Sequence, residues 1–365
     1  MKEIVFIVNS IRQARCIRRI EEFQKKGYKI SVFGFDRKDD IRSFPNFPVK
    51  VIGTIVNGSN YAKRIFDIRK AIKKNVVGKF DRQTTIFYVF NLDIALAFKS
   101  LWGNRGCLYI YEVSDLTELI ISNAAIRNLM IWQNKILIQK SLITVFTSEG
   151  FCDFYSTIPK EKIYVIPNKI NSNCPKGEIN KRNINNEKIR IGFVGIIRFE
   201  TVYRFALSCS QNQNIELHLF GLLSNGDHYA LEIEALSRQC DNILLHGPYN
   251  NPDDLPKIYN SIDLVLSAYP PTPGVIYAEP NKLYEAIYFR CPIIVNKDTF
   301  LAKKVQRLNI GYVIDCLDED SIKHFLHELA ASEDYIDKVN SCMSIPQIDC
   351  LNSNDDFFKK LNDIC

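Results

Sequence analysis

The chain writes one pattern twice. Short apolar runs of strand length alternate with helix-length segments, in two blocks parted by an Asn-rich stretch. The first block runs EIVFIV (3–8), a helical spacing over 11–26 with Ile17, Ile20 and Phe23 on one face, then YKISVFGF (28–35) and VKVIGTI (49–55). A basic helix over 61–78, TTIFYVF (84–90), CLYIYEV (107–113), a long helical region over 117–140, LITVFTS (142–148) and KIYVIPN (162–168) complete it. Residues 171–188, NSNCPKGEINKRNINNEK, are polar and aperiodic and read as a linker. The second block restarts at IRIGFVGII (189–197) and continues through IELHLFG (215–221), NILLHG (242–247), DLVLSAY (263–269), CPIIVN (291–296) and GYVID (311–315), with a helix expected in each gap and one over 320–331. Strands joined through helices of this length are βαβ units, and βαβ units build parallel sheets.

The expected fold class is therefore α/β, with two doubly wound Rossmann-like domains facing a cleft. Their expected bounds are 1–170, a linker 171–188, 189–331, and a C-terminal tail 332–365 whose final helix could return to the first domain. A length of 365 residues suits two domains. At 46% apolar and 24% charged residues the chain is globular in composition. No apolar run reaches the roughly 18–20 residues of a membrane span. The opening MKEIVFIVNSIRQAR reads as a first strand rather than a secretory signal. Eleven cysteines without a CxxC pair point to reduced thiols in a core, not to a disulfide framework or a metal centre.

Charge is unevenly spread. Residues 1–170 hold 28 Lys+Arg against 15 Asp+Glu, a balance of +13, while 171–365 hold 19 against 26, a balance of −7. A basic first domain calls for an anionic partner. Its cations gather in two helices, one with Arg12, Arg15, Arg18, Arg19, Lys25 and Lys26, the other with Lys63, Arg64, Arg69, Lys70, Lys73, Lys74 and Lys79. The second interleaves them with Ile65, Phe66, Ile68, Ile72, Val76 and Val77, the pattern of a helix lying on an anionic membrane surface. The competing reading is a solvated surface face. No nucleic-acid motif accompanies the charge, so nucleic acid is not expected as a partner.

The chemistry-bearing residues collect at strand ends of the second block, where open α/β sheets bind ligands. Gly195, Gly221 and Gly247 each close a strand, and a glycine there lets backbone approach a ligand. Arg198 can clamp a diphosphate. Gly274 and the helix start at Asn281 offer N–H groups to phosphate oxygens. Lys282 places a cation in a first helical turn, against the dipole, and Glu285 follows on the same face. In the first block, YEVSDL sets Glu112 and Asp115 at a strand's carboxyl end, where a general base could serve an incoming hydroxyl. Asp115 could equally be a helix cap. Asp93 and Glu149 are weaker candidates of the same kind. The five histidines are scattered, and His218, inside a strand, reads as structural. Walker A, HExxH, G-x-S-x-G and G-x-G-x-x-G motifs are absent.

IRIGFVGIIR, IELHLFG, NILLHGPYNNPDDLPKIYNSIDLVLSAYP and PNKLYEAIYFRCPIIV together resemble the donor half of GT-B glycosyltransferases of the group 1 (family 4-like) type. VFTSEGF and KIYVIPN resemble the end of that family's first domain. The resemblance is strong over 141–170 and 189–296 and weak over 1–110. It implies transfer of a sugar from a UDP- or GDP-linked donor to a saccharide acceptor, lipid-linked at the cytoplasmic membrane face, without metal or redox cofactor. Arg198 and Lys282 would then meet the diphosphate, Pro248 and Tyr249 the base, and Glu285 the ribose. In that family seven residues separate the earlier glutamate from the later one. Counting back from Glu285 reaches Tyr277, and the nearest carboxylate is Glu279. The glycine-rich loop after the first strand is replaced by NSIRQAR. A catalytically silent GT-B subunit and a nucleotide-sugar epimerase are the alternatives.

Overall fold

A computed structural model describes residues 3–37, 44–55, 61–102, 106–175, 188–331 and 334–364. The chain divides into two compact units, Met1–Ile166 with Asn354–Cys365, and Pro167–Ser353. Most of the stretch read as a linker, 176–187, lies outside the described residues.

The first unit runs β1 (Glu3–Val8), α1 (Ala14–Lys25), β2 (Lys29–Arg37), β3 (Lys50–Ile55), α2 (Tyr61–Asn75), β4 (Thr85–Phe90), α3 (Asn91–Trp102), β5 (Leu108–Val113), α4 (Ala124–Lys140), β6 (Ile143–Phe146), α5 (Gly150–Phe154) and β7 (Ile163–Val165). Its seven strands are parallel, in the order β3-β2-β1-β4-β5-β6-β7. Parallel strands covered by helices on both faces bury every residue, and β4 accordingly has all six side chains buried.

The second unit runs β8 (Ile189–Val194), α6 (Glu200–Ser210), β9 (Ile215–Phe220), α7 (His228–Gln239), β10 (Ile243–Gly247), α8 (Leu255–Asn260), β11 (Leu264–Ser267), α9 (Asn281–Tyr288), β12 (Ile293–Asn296), α10 (Phe300–Leu308), β13 (Gly311–Ile314), α11 (Glu319–Ala331) and α12 (Tyr335–Ser344). Its sheet, also parallel, has the order β10-β9-β8-β11-β12-β13. Both orders reverse direction at the first strand of the unit, between β1 and β4 and between β8 and β11. That reversal opens the crevice where ligands of doubly wound sheets sit.

The tail read as 332–365 is shared out. α12 stays with the second unit, and a last helix, α13 (Asp355–Ile364), belongs to the first. Phe357, Phe358 and Leu361 enter the core that holds Ile4, Phe6 and Phe23. Phe23 meets Phe358 at 4.9 Å and Phe357 at 6.1 Å between ring centroids. Asn354 donates to Glu22, and the Tyr28 hydroxyl donates to Asn362 at 2.6 Å, so the helix is pinned at both ends.

Ten of the cysteines fall among the described residues, all free, and seven of them are buried. Burial pushes the Cys16 thiol up to about 12, so it stays protonated and inert. Replacing Phe357, which has no exposed surface, by Ala should lower the stability of the first unit by about 3–5 kcal/mol, read in guanidinium unfolding. A loss below about 1 kcal/mol would mean that α13 is dispensable to that core.

Candidate functional site

The carboxyl edge of the second sheet carries a row of three glycines. The Gly195 N–H donates to the Phe220 carbonyl at 2.8 Å, and the Gly221 N–H donates to the Gly247 carbonyl at 2.7 Å, so the row lies across the ends of β8, β9 and β10. Gly221 has φ 141°, and a Cβ there would stand 1.8 Å from the Gly195 carbonyl oxygen. No other residue fits. The result is bare backbone beside the β8/β11 crevice.

Arg198 follows this row, exposed, with its guanidinium 4.9 Å from the Phe199 ring. Phe199 stands edge-on to Tyr269, the second residue past β11, at 5.4 Å. Burial, with Glu285 and Tyr249 nearby, raises the Tyr269 pKa, while Lys282 and Arg198 both pull it down. Tyr269 thus feels both of the cations that the sequence singled out. It was missed because it reads as the end of an apolar strand.

α9 delivers the remaining groups. Its N-cap is Pro280 and no side chain caps it, so its first turn keeps the positive end of the helix dipole. Lys282, 3% exposed, donates to Glu285 Oε2 at 2.6 Å across one helical turn. The Tyr259 hydroxyl donates to the same oxygen at 2.7 Å, and Asn281 Nδ2 donates to Oε1 at 2.5 Å. Burial works against the Lys282 ammonium. Even so, the Glu285 carboxylate, with Tyr249 and Tyr269 beside it, holds its pKa above the ordinary lysine value. The i, i+3 pair is therefore a buried ion pair and not a solvated surface pair.

The structure revises several expected placements. Glu279 is buried and accepts from Lys304 at 2.7 Å and from the Tyr284 hydroxyl. Lys304 and Lys169 each stand within 6 Å of the Tyr284 ring, at 5.9 and 5.8 Å, and neither was legible beforehand. Tyr249 is half-buried, packed on the core of Val194, Phe220, Tyr259 and Leu283, whereas Pro248 is exposed. Gly274 sits in the turn between β11 and α9, where the Val275 N–H donates to Thr272. His218 and His246, 28 residues apart, meet at 3.0 Å because β9 and β10 pair, and the two rings stack.

In the first unit the two expected carboxylates part company. Asp115 is 60% exposed just past β5, 4.0 Å from Arg15. Glu112 is wholly buried, which corrects the expectation that it faces outward with Asp115. Its Oε2 accepts from Tyr88 at 2.5 Å and Arg19 at 3.1 Å, and Arg15 lies 3.4 Å from Oε1. A carboxylate so enclosed anchors α1 to the sheet and cannot reach a hydroxyl outside the core. Asp93 is likewise buried, beside Arg64 at 3.3 Å, with its pKa raised by burial. Among the described residues no group of three or more His, Cys, Asp or Glu side chains is placed to hold a metal ion.

Chains of the same architecture are known. Sucrose-phosphate synthase from Thermosynechococcus elongatus matches with a TM-score of 0.69 at 12% identity, over 94% of this chain and 94% of that one. The lipopolysaccharide outer core galactosyltransferase WaaB matches at 0.63 and 12%, over 99% and 98%. HepE of Anabaena, solved with UDP and glucose, matches at 0.64 and 12%, over 94% and 93%. No protein-family model and no curated protein sequence matches. At such identities the likeness defines the fold. The chain has the α/β architecture of GT-B glycosyltransferases, with two Rossmann-like units.

Breaking the Lys282–Glu285 pair tests how the site is held. Lys282→Met leaves the carboxylate buried with one donor fewer and should cost about 3–5 kcal/mol, whereas Lys282→Met with Glu285→Gln should recover much of it. Because the folded pKa of Lys282 is raised, its contribution is fully present below the unfolded lysine value of about 10.4 and lost as pH climbs through the folded one. The gap between wild type and Lys282→Met, measured by denaturant unfolding, should hold up to about that pH and shrink above it.

Proposed function

We propose that the chain is a glycosyltransferase that moves a sugar from a UDP- or GDP-linked donor to a saccharide acceptor. One observation carries this reading. Exposed Arg198 and buried Lys282, in the uncapped first turn of α9, both act on Tyr269 past the end of β11, in a sheet whose carboxyl edge also carries Gly195, Gly221 and Gly247 and whose fold relatives include HepE, solved with UDP and with UDP-glucose. Arg198 and Lys282 would receive the charge that develops on the departing diphosphate, with no metal needed for that task. Lys282 is already held charged and oriented by Glu285, so little reorganisation is required when the leaving group forms. Asp115, an exposed carboxylate past β5 of the first unit, is assigned the acceptor. It takes the hydroxyl proton as that oxygen bonds to the anomeric carbon and the bond to the diphosphate oxygen breaks. The +13 balance of residues 1–170 supports a lipid-linked acceptor at the anionic, cytoplasmic face of a membrane. No helix among the described residues is long and apolar enough to cross a membrane, so that contact would be peripheral.

A second reading has its own support. A structure assigned to a UDP-N-acetylglucosamine 2-epimerase from Listeria monocytogenes matches with a TM-score of 0.55 at 12% identity. Incubating the enzyme with a nucleotide sugar alone separates the two, because an epimerase changes the sugar without any acceptor.

Arg198→Ala should weaken a nucleoside diphosphate by roughly 1.5–3 kcal/mol, one to two decades, while a nucleoside monophosphate binds nearly as before. Calorimetry that returns equal losses for both removes Arg198 from the diphosphate. Asp115→Asn should lower turnover by roughly two to four decades and leave donor affinity unchanged if the sugar is inverted. An inverted product, seen by proton NMR, from an enzyme indifferent to that change would sink the role given to Asp115.

A further inference from the structure

The first unit leaves an apolar stripe uncovered, and it is not on the basic helix that the sequence points to. In α2, Ile68 and Ile72 are buried, and only Phe66 stands out, at 62% exposed. By contrast Ile126, Leu129 and Trp132 of α4 are 52%, 54% and 54% exposed, and Ile120, just before that helix, is 69% exposed. At 100° per residue the three α4 side chains span about 120° of the helix surface, away from the arc of Asn134, Leu137 and Ile138, which are buried. Single exposed apolar residues are ordinary, but four within thirteen positions form a patch.

We propose that this face of α4 enters the headgroup layer of an anionic bilayer and docks the first unit there. The proposal rests on the membrane-facing reading given above and adds the element that inserts. Charge selects the occupant. α4 contains no Asp or Glu, and it carries Arg127, Lys135 and Lys140. Neighbouring elements extend the cationic field. The steps from β3 to β4, β4 to β5 and β5 to β6 all run the same way along the sheet, so right-handed crossovers put α2, α3 and α4 on one face. α3 packs against both α2 and α4. α2 presents exposed Lys63, Lys70, Lys73 and Lys74 on that face. Cations in and beside α1 are spent otherwise, for Arg12 pairs with Asp36, Arg15 and Arg19 with Glu112, and Lys26 with Asp355. An apolar stripe with an amphipathic tryptophan, on a helix that carries three cations and no acid and shares its sheet face with the four exposed lysines of α2 against one exposed acid there, Asp67, matches an anionic interface, where apolar burial and headgroup attraction add. A protein partner would instead need acidic groups set against those lysines.

The chain's two tryptophans make the test direct, since Trp102 is 5% exposed in the core and only Trp132 can report contact. The full chain is floated with phosphatidylcholine vesicles, with or without about a third phosphatidylglycerol, and its emission is read with and without brominated acyl chains. Expected are recovery on anionic vesicles, a blue shift, and quenching by bromine. Ile126→Ser with Leu129→Ser should cut partitioning about tenfold or more, with the thermal midpoint and nucleoside diphosphate binding unchanged. Lys70→Glu, Lys73→Glu and Lys74→Glu together should lower recovery at low salt, and the fraction that remains bound should still show the blue shift. Flotation without shift or quenching of Trp132 would overturn insertion by α4. So would a concentration-dependent dimer that the two serines abolish, because the face would then be a self-contact. Loss of nucleoside diphosphate binding in the wild-type chain would instead strike the glycosyltransferase reading, which vesicle binding does not touch.

Discussion

Parallel strands cannot be joined by tight turns, and every crossover between them must climb back over the sheet. That constraint organises this protein. It forces all thirteen strands among the described residues to begin at one edge of their sheet and end at the other, so each unit gathers its strand ends at a carboxyl edge. It also buries both faces, which leaves that edge as the place where polar side chains can work. In the second unit the order reversal falls between β8 and β11, Gly195 follows β8, and Tyr269 past β11 feels the charges of both Arg198 and Lys282.

Two buried carboxylates show how similar chemistry serves different ends. Glu112 and Glu285 each gather a tyrosine hydroxyl and a cation, and neither has more than 2% of its surface exposed. Around Glu112 the partners come from α1 and β4, so the cluster ties a helix to the sheet. Around Glu285 two of the partners are its own helical neighbours, Asn281 and Lys282, so the cluster fixes the first turn of α9 in one conformation. A buried charge left unpaired is costly. That cost keeps the Lys282 ammonium fixed against Glu285.

The same accounting of partners explains why the +13 balance of residues 1–170 is not spread evenly over the first unit. Most of the α1 arginines face carboxylates, and their charge is locally cancelled. Charge left over lies on α2 and α4, on the opposite face of the sheet, where the exposed Ile126, Leu129 and Trp132 also lie.

Much of the fold was legible in the sequence. Apolar runs of strand length separated by helical spacings identify βαβ units, because burial on both faces of a parallel sheet demands such runs. Glycines 195, 221 and 247 announced strand ends, and Lys282 with Glu285 announced themselves by helical spacing. Which way a side chain on a strand points is a different matter. Glu112 and Asp115 looked alike in YEVSDL, and only pairing with Tyr88 and Arg19, 24 and 93 residues away, turned Glu112 inward. The return of α13 to Phe23, the meeting of His218 with His246, and the uncovered face of α4 belong to the same class. A local pattern records whether a residue prefers burial. The partner that buries it, or the lack of one, is decided when distant segments pack.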